Sequence, residues 1–142
     1  MVILYVDTSS LLKLYFQEEG TAEVKAITAQ AQGVASSMIG YVEARSGLVR
    51  GRRGGRLTDG EYAAALKAFE QDWRSYLVYD VTDVLVHEAA ALAERHFLRG
   101  LDAIHLASAM GLQSRLGEKV TFSSADGRLM AAASAEGLAL GS

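Results

Sequence analysis

VILYVD, residues 2–7, is a run of five apolar residues closed by a carboxylate. It has no polar face, so a strand formed here must be covered on both sides, as in the middle of a parallel sheet. The neighbouring segments alternate in the same sense. Residues 11–16 read as a short helix and 21–32 as a second one, followed by a small strand at 34–36. A helix over 38–50 carries Met38, Tyr41, Val42, Arg45, Leu48 and Val49 along one broad side. GRRGGR, residues 51–56, breaks the pattern and reads as a mobile loop. Thr58 with Glu61 forms a capping box that launches a helix through Trp73. Residues 76–81 suit a strand, Thr82 caps a helix reaching Phe97, and Gly100 turns the chain into the helical segment that contains LDAIHLASAM. Strands at 120–122 and 138–140 flank a last helix at 129–135. Strands separated by helices need crossover connections. The expected fold class is α/β, a three-layer α/β/α sandwich with a mainly parallel central sheet, in one domain over residues 1–142.

Composition narrows the chemistry. The 142 residues are half hydrophobic, 22% charged, and free of proline and cysteine. Without cysteine there is no disulfide framework, no thiolate nucleophile, and no cysteine-held zinc or iron–sulfur site. Any metal is held by oxygen or imidazole. The apolar N-terminal run lacks a basic flank and ends at Asp7, too early for a signal peptide or membrane span, so a cytoplasmic protein without a membrane partner is expected. A net charge of -3 argues against broad attraction to nucleic acid. Arg45, Arg50, Arg52, Arg53 and Arg56 nevertheless crowd one short stretch, either as a solvated helix end or as an arm that contacts phosphate or a partner.

Ligands of parallel sheets gather beyond the carboxyl ends of the strands. Asp7 directly follows the first strand, Asp126 follows the strand at 120–122, and Glu43 sits in the second turn of a helix that begins soon after another strand. Asp102 lies in the first turn of its helix, where the macrodipole alone favours an acid by roughly 0.3–1 kcal/mol. Each has an ordinary structural explanation: a cap for Asp7 and Asp126, a helix-dipole partner for Asp102, a solvated residue for Glu43. Their shared end of the sheet does not. Clustered carboxylates repel and raise one another's pKa unless a cation neutralises them. Magnesium or manganese, a hard ion with oxygen ligands, is the natural counter-charge, and its chemistry suits hydrolysis of an anionic ester.

VDTSSLLKLY, YVEAR, GLDAIHLASA and FSSADGRLMAAASAEGL, in that order and spacing, resemble the PIN-domain nucleases, in particular the VapC-type toxins of toxin–antitoxin pairs. The resemblance implies an endoribonuclease whose acidic centre binds magnesium or manganese. It places Asp7, Glu43, Asp102 and Asp126 at the family's acidic positions, with Asp7 and Asp102 as metal ligands. Glu43 is then a ligand through water or the group that orients the attacking water. Ser9 matches a small hydroxyl position that supports the cluster, and His105, one turn beyond Asp102, reads as a supporting hydrogen-bond partner. A cognate antitoxin and a homodimer are further implications, as is an RNA substrate contacted by the arginine stretch. Two other readings follow from the residues. A PIN-like module could bind RNA or protein without cleaving. A haloacid-dehalogenase-like phosphatase would use Asp7 as a covalent nucleophile, but it wants a second Asp where this chain has Ser9.

Overall fold

The structure is a computed structural model that describes residues 2–141. Its centre is β1, Ile3–Val6, flanked on one side by β2, Gly33–Ser37, and β3, Leu77–Tyr79, and on the other by β4, Val120–Ser123, and β5, Ala139–Leu140. The strand order is β3-β2-β1-β4-β5 and every pairing is parallel. Side chains on a strand alternate between faces. Ile3 and Tyr5 therefore enter one core, with Phe122, Leu106 and Leu129, while Leu4 and Val6 enter the other, with Leu11, Leu48 and Phe69. All four β1 side chains are buried, which is why this strand shows no polar position. Val2, read from sequence as its first residue, lies outside the strand and is exposed.

Helices cover both faces. On the Leu4 side lie α1, Thr8–Leu12; α2, Thr21–Gln30; α3, Ile39–Arg53; and α4, Asp59–Trp73. On the Tyr5 side lie α5, Asp83–His96; α6, Gly100–Leu116; and α7, Gly127–Ala135. The three-layer α/β/α expectation is met, and the sheet is wholly parallel among the described residues. The capping box is present as read: the Thr58 hydroxyl accepts from the Glu61 N–H, and the Glu61 carboxylate accepts from the Thr58 N–H.

Three readings need correction. The first helix begins at Thr8, not residue 11, because Asp7 itself caps it, and residues 13–16 are turn rather than helix. GRRGGR is not a free loop: Gly51 to Arg53 form the last turn of α3, and the N–H groups of Arg56 and Leu57 return to the Gly51 carbonyl. Finally, the broad side of α3 read from sequence is divided between core and solvent. Met38, Val42 and Val49 are exposed, whereas Gly40, Ala44, Gly47, Leu48 and Gly51 are buried. Close approach of neighbouring side chains selects small residues there. A β-carbon on Gly47 would stand 2.6 Å from a Leu12 methyl, so α1 fills the space beside this face of α3.

Packing of α6 on β3 imposes the same demand at Gly111. A β-carbon there would stand 2.7 Å from Cζ and 3.0 Å from Cε2 of Tyr79. Gly60, by contrast, has open space in the first turn of α4. Gly111→Ala is expected to destabilise, because an overpacking cost of roughly 1–3 kcal/mol outweighs the gain in helix propensity. Gly60→Ala is expected to stabilise by roughly 0.4–1 kcal/mol. Denaturant midpoints of the two variants should move in opposite directions.

Candidate active site

The chain steps outward from β1 through β2 to β3, then returns to β4 on the opposite flank of β1. Such a reversal opens a cleft at the carboxyl ends of the two strands that part there. Asp7 leaves β1 at this edge, and the Ser124–Ala125–Asp126 loop leaves β4 beside it.

Asp7 is only 3% exposed, and a buried carboxylate must have donors. Its Oδ1 accepts from the Ser9 hydroxyl at 2.7 Å and the Ser10 N–H at 3.0 Å; its Oδ2 accepts from the Ser124 hydroxyl at 2.6 Å. The same hydroxyls face the other way as acceptors, Ser9 for the Ala125 N–H and Ser124 for the Asp126 N–H. The Asp7 N–H donates to the Ser123 carbonyl. The loops after β1 and β4 are thus one hydrogen-bonded unit with Asp7 at its centre.

Asp126 caps α7, its Oδ1 accepting from the N–H groups of Arg128 and Leu129. Its Oδ2 lies 3.6 Å from Nη2 of Arg99, whose Nε is 3.4 Å from Oδ2 of Asp102. One exposed guanidinium therefore spans the two carboxylates. Burial pushes the Asp102 carboxyl above its ordinary range; Arg99 and His105 pull it down, while the negative charges of Asp126 and Asp7 push it further up. These three acids share one electrostatic field. Capping explains Asp7 and Asp126 in part, but it does not explain Asp102, because Arg99 is the residue at the N-cap of α6.

Glu43 reaches the edge from α3. Its Oε1 accepts from the Thr8 hydroxyl at 2.6 Å and stands 2.8 Å from Nε2 of His105. Burial would raise the Glu43 pKa, but those two hydrogen bonds and the electrostatic pull of His105 and Arg50 outweigh it and hold the group below its ordinary range. His105 is buried, and its other nitrogen lies 2.8 Å from the Tyr5 hydroxyl.

The sequence-selected residues Asp7, Ser9, Asp102, Asp126, Glu43 and His105 therefore meet at one end of the sheet. Four participants were not selected. Thr8, Ser124, Tyr5 and Arg99 gain significance only from partners on other elements; the hydroxyl cluster next to Asp7 and the SSAD turn were the available signals for two of them. Among the described residues, no group of three or more His, Asp or Glu side chains is placed to hold a metal ion on its own.

The arginine stretch is dispersed. Arg45 pairs with Glu70 and the Tyr41 hydroxyl, Arg52 lies over the Tyr62 ring, and Arg56 pairs with Glu18 above Phe16. Arg53 is exposed at the end of α3. Arg50 and Arg56, with Lys13, line a groove of about 370 Å³ that begins at Ser9 and Ala125, beside the carboxylates.

The sequence profile of the PIN domain family matches residues 4–134. Ribonuclease VapC45 of Mycobacterium tuberculosis is 34% identical over 112 residues, covering 79% of this chain and 78% of that protein. Among solved structures, VapC20 of the same species, described as a toxin that cleaves the sarcin–ricin loop, superposes with a TM-score of 0.65 at 22% identity, covering 95% of each chain. A toxin–antitoxin complex from Klebsiella pneumoniae matches with a TM-score of 0.54 at 17% identity over 83% of each chain. The parallel sheet, the acids at its switch point and the match over nearly the whole chain lead to one conclusion: this chain belongs to the PIN domain family, in its VapC-like branch.

Proposed function

We propose that this protein is a metal-dependent endoribonuclease acting as the toxin of a type II toxin–antitoxin pair. The observation that carries the reading is the gathering of Asp7, Asp102 and Asp126 at the sheet's switch point, linked through Ser124 and Arg99, in a chain with a relative named a ribonuclease. Two acids placed so that they raise the pKa of a third are costly for a scaffold and useful for binding a cation.

Asp7, Asp102 and Asp126 at one sheet edge support magnesium or manganese as the counter-ion. Arg99 already sets positive charge between Asp102 and Asp126, which marks where a cation is favourable. An open arrangement suits magnesium, which keeps most of its waters and uses one or two carboxylates directly. Asp102 and Asp7 are the proposed ligands, with Asp126 and Glu43 acting directly or through water. When bound, the ion would offset repulsion between acids and phosphate, activate water and stabilise charge developing on the phosphate. Ser9 and Ser124 hold Asp7 at fixed orientation, so its carboxylate is placed before the substrate arrives. Glu43, held below its ordinary pKa, stays ionised as a hydrogen-bond acceptor for water.

RNA would approach along the groove from Ser9 toward Arg50 and Arg56. Arg50 is the phosphate contact of choice, since Arg45 is committed to Glu70. The remaining assignments follow the family reading: a cytoplasmic protein, a cognate antitoxin and a homodimer. No helix among the described residues is long and apolar enough to cross a membrane. Exposed Met38, Val42 and Val49, spaced along one side of α3, support a surface that a second copy would cover.

Purified protein free of antitoxin should cleave total cellular RNA with Mg²⁺ or Mn²⁺ and stop with EDTA. Asp7→Asn and Asp102→Asn should each lower the rate by more than the roughly 10–100-fold typical of outer-shell partners of a metal. If both variants cleave like the parent and EDTA has no effect, the proposed centre is wrong.

Single-stranded RNA binding, followed by fluorescence anisotropy across a salt series in the Asp102→Asn background, tests the groove. Arg50→Ala should reduce the slope of log affinity against log salt by about 0.7, one phosphate contact, whereas Arg45→Ala should leave it unchanged. Equal slopes for the two would remove the groove as the RNA path.

A further inference from the structure

We propose that Tyr5, on the central strand, acts through His105 as a positioning residue for Glu43, by holding the imidazole in the tautomer that donates from Nε2. This rests on the nuclease reading of the site for its kinetic consequence, but not for its geometry.

Oε1 of Glu43 lies 2.8 Å from Nε2 of His105. A bare imidazole lone pair at that distance from a carboxylate would repel it, so Nε2 carries hydrogen. In the neutral ring Nδ1 is then an acceptor, and the group 2.8 Å from it is the Tyr5 hydroxyl, which must donate. The phenol is itself pinned. Its ring stacks on Phe122 with centroids 5.4 Å apart and planes 7° apart, and meets the His105 ring edge-on at 5.9 Å. The order Tyr5, His105, Glu43 is therefore a directed chain of hydrogen bonds that runs from the buried core to the acidic edge.

Both donors reach Glu43 at one oxygen, because the Thr8 hydroxyl also bonds Oε1. This fixes the carboxylate plane and leaves Oε2 without a protein hydrogen bond among the described residues, available to the site. Packing alone does not call for this arrangement. Tyr5 is buried in the apolar core and His105 is buried against its ring, where Phe and Leu would fill similar space without polar groups to satisfy. A partner that sets the tautomer of a site histidine is the chemistry such a pair does supply.

The test combines a spectroscopic and a kinetic reading. Long-range proton–nitrogen correlation spectra of the parent should show His105 protonated on Nε2. Tyr5→Phe, which keeps the ring, should shift His105 toward the Nδ1–H form and lower kcat for RNA by roughly 10–100-fold, with KM within about twofold. His105→Gln, whose amide can donate to Glu43 unaided, should retain more activity than His105→Ala. In that background Tyr5→Phe should cost nothing further. Protonation of the parent on Nδ1, or a Tyr5→Phe variant with unchanged tautomer and kcat, overturns the proposal. A loss in Tyr5→Phe that persists in the His105→Gln background also overturns it, since Tyr5 would then act through packing. A folded parent that cleaves no RNA overturns the functional reading alone, and the spectra still decide the tautomer.

Discussion

The rest of the site depends on the burial of Asp7. A carboxylate at the end of a central strand, almost out of reach of water, is tolerable only with donors on both oxygens. Ser9, Ser10 and Ser124 provide them, and two of these reach across from β1 to the loop after β4. Satisfying one buried charge therefore fixes how two crossover loops meet. The α7 cap Asp126 is placed by the same bonds, since its N–H is held by Ser124. The cleft is a by-product of parallel pairing, but its rigidity comes from this hydroxyl lattice.

Around that anchor the protein separates two electrostatic environments a few residues apart. Asp102 is opposed by the charges of Asp126 and Asp7, with an exposed Arg99 as partial compensation. Glu43 is instead stabilised as an anion by fixed donors, Thr8 and His105. In the first set a carboxylate is opposed by its neighbours; in the second a carboxylate is held in place by donors. Carboxylates of the same edge are thus suited to different tasks by their partners alone.

Much of this was legible in the chain. The featureless apolar run Ile3–Val6 announced a strand buried on both faces, the Thr58–Glu61 pair announced a helix start, and acids directly after strands announced a site at the sheet edge. What local hydrophobicity did not show was which side of α3 faces the core. Glycine and alanine line its buried side because Leu12 and Leu57 press against the helix backbone, while its valines face out. Adjacency in sequence also misled for the arginines, which helical geometry and Glu70, Glu18 and Tyr62 send in different directions.

The sequence by itself determined the layer order, the parallel sheet and the end of it at which Asp7, Asp102 and Asp126 stand. These follow from periodicity and caps, which act over a few residues. Only the tertiary structure decided which groups serve those acids. Tyr5 and His105 are a hundred residues apart, Thr8 and Glu43 thirty-five, and Ser124 and Asp7 more than a hundred. A hydroxyl or imidazole carries no local mark of the partner it will meet. That choice is made when strands pair in register and helices close over them, because only then are the donors buried beside the carboxylates that need them.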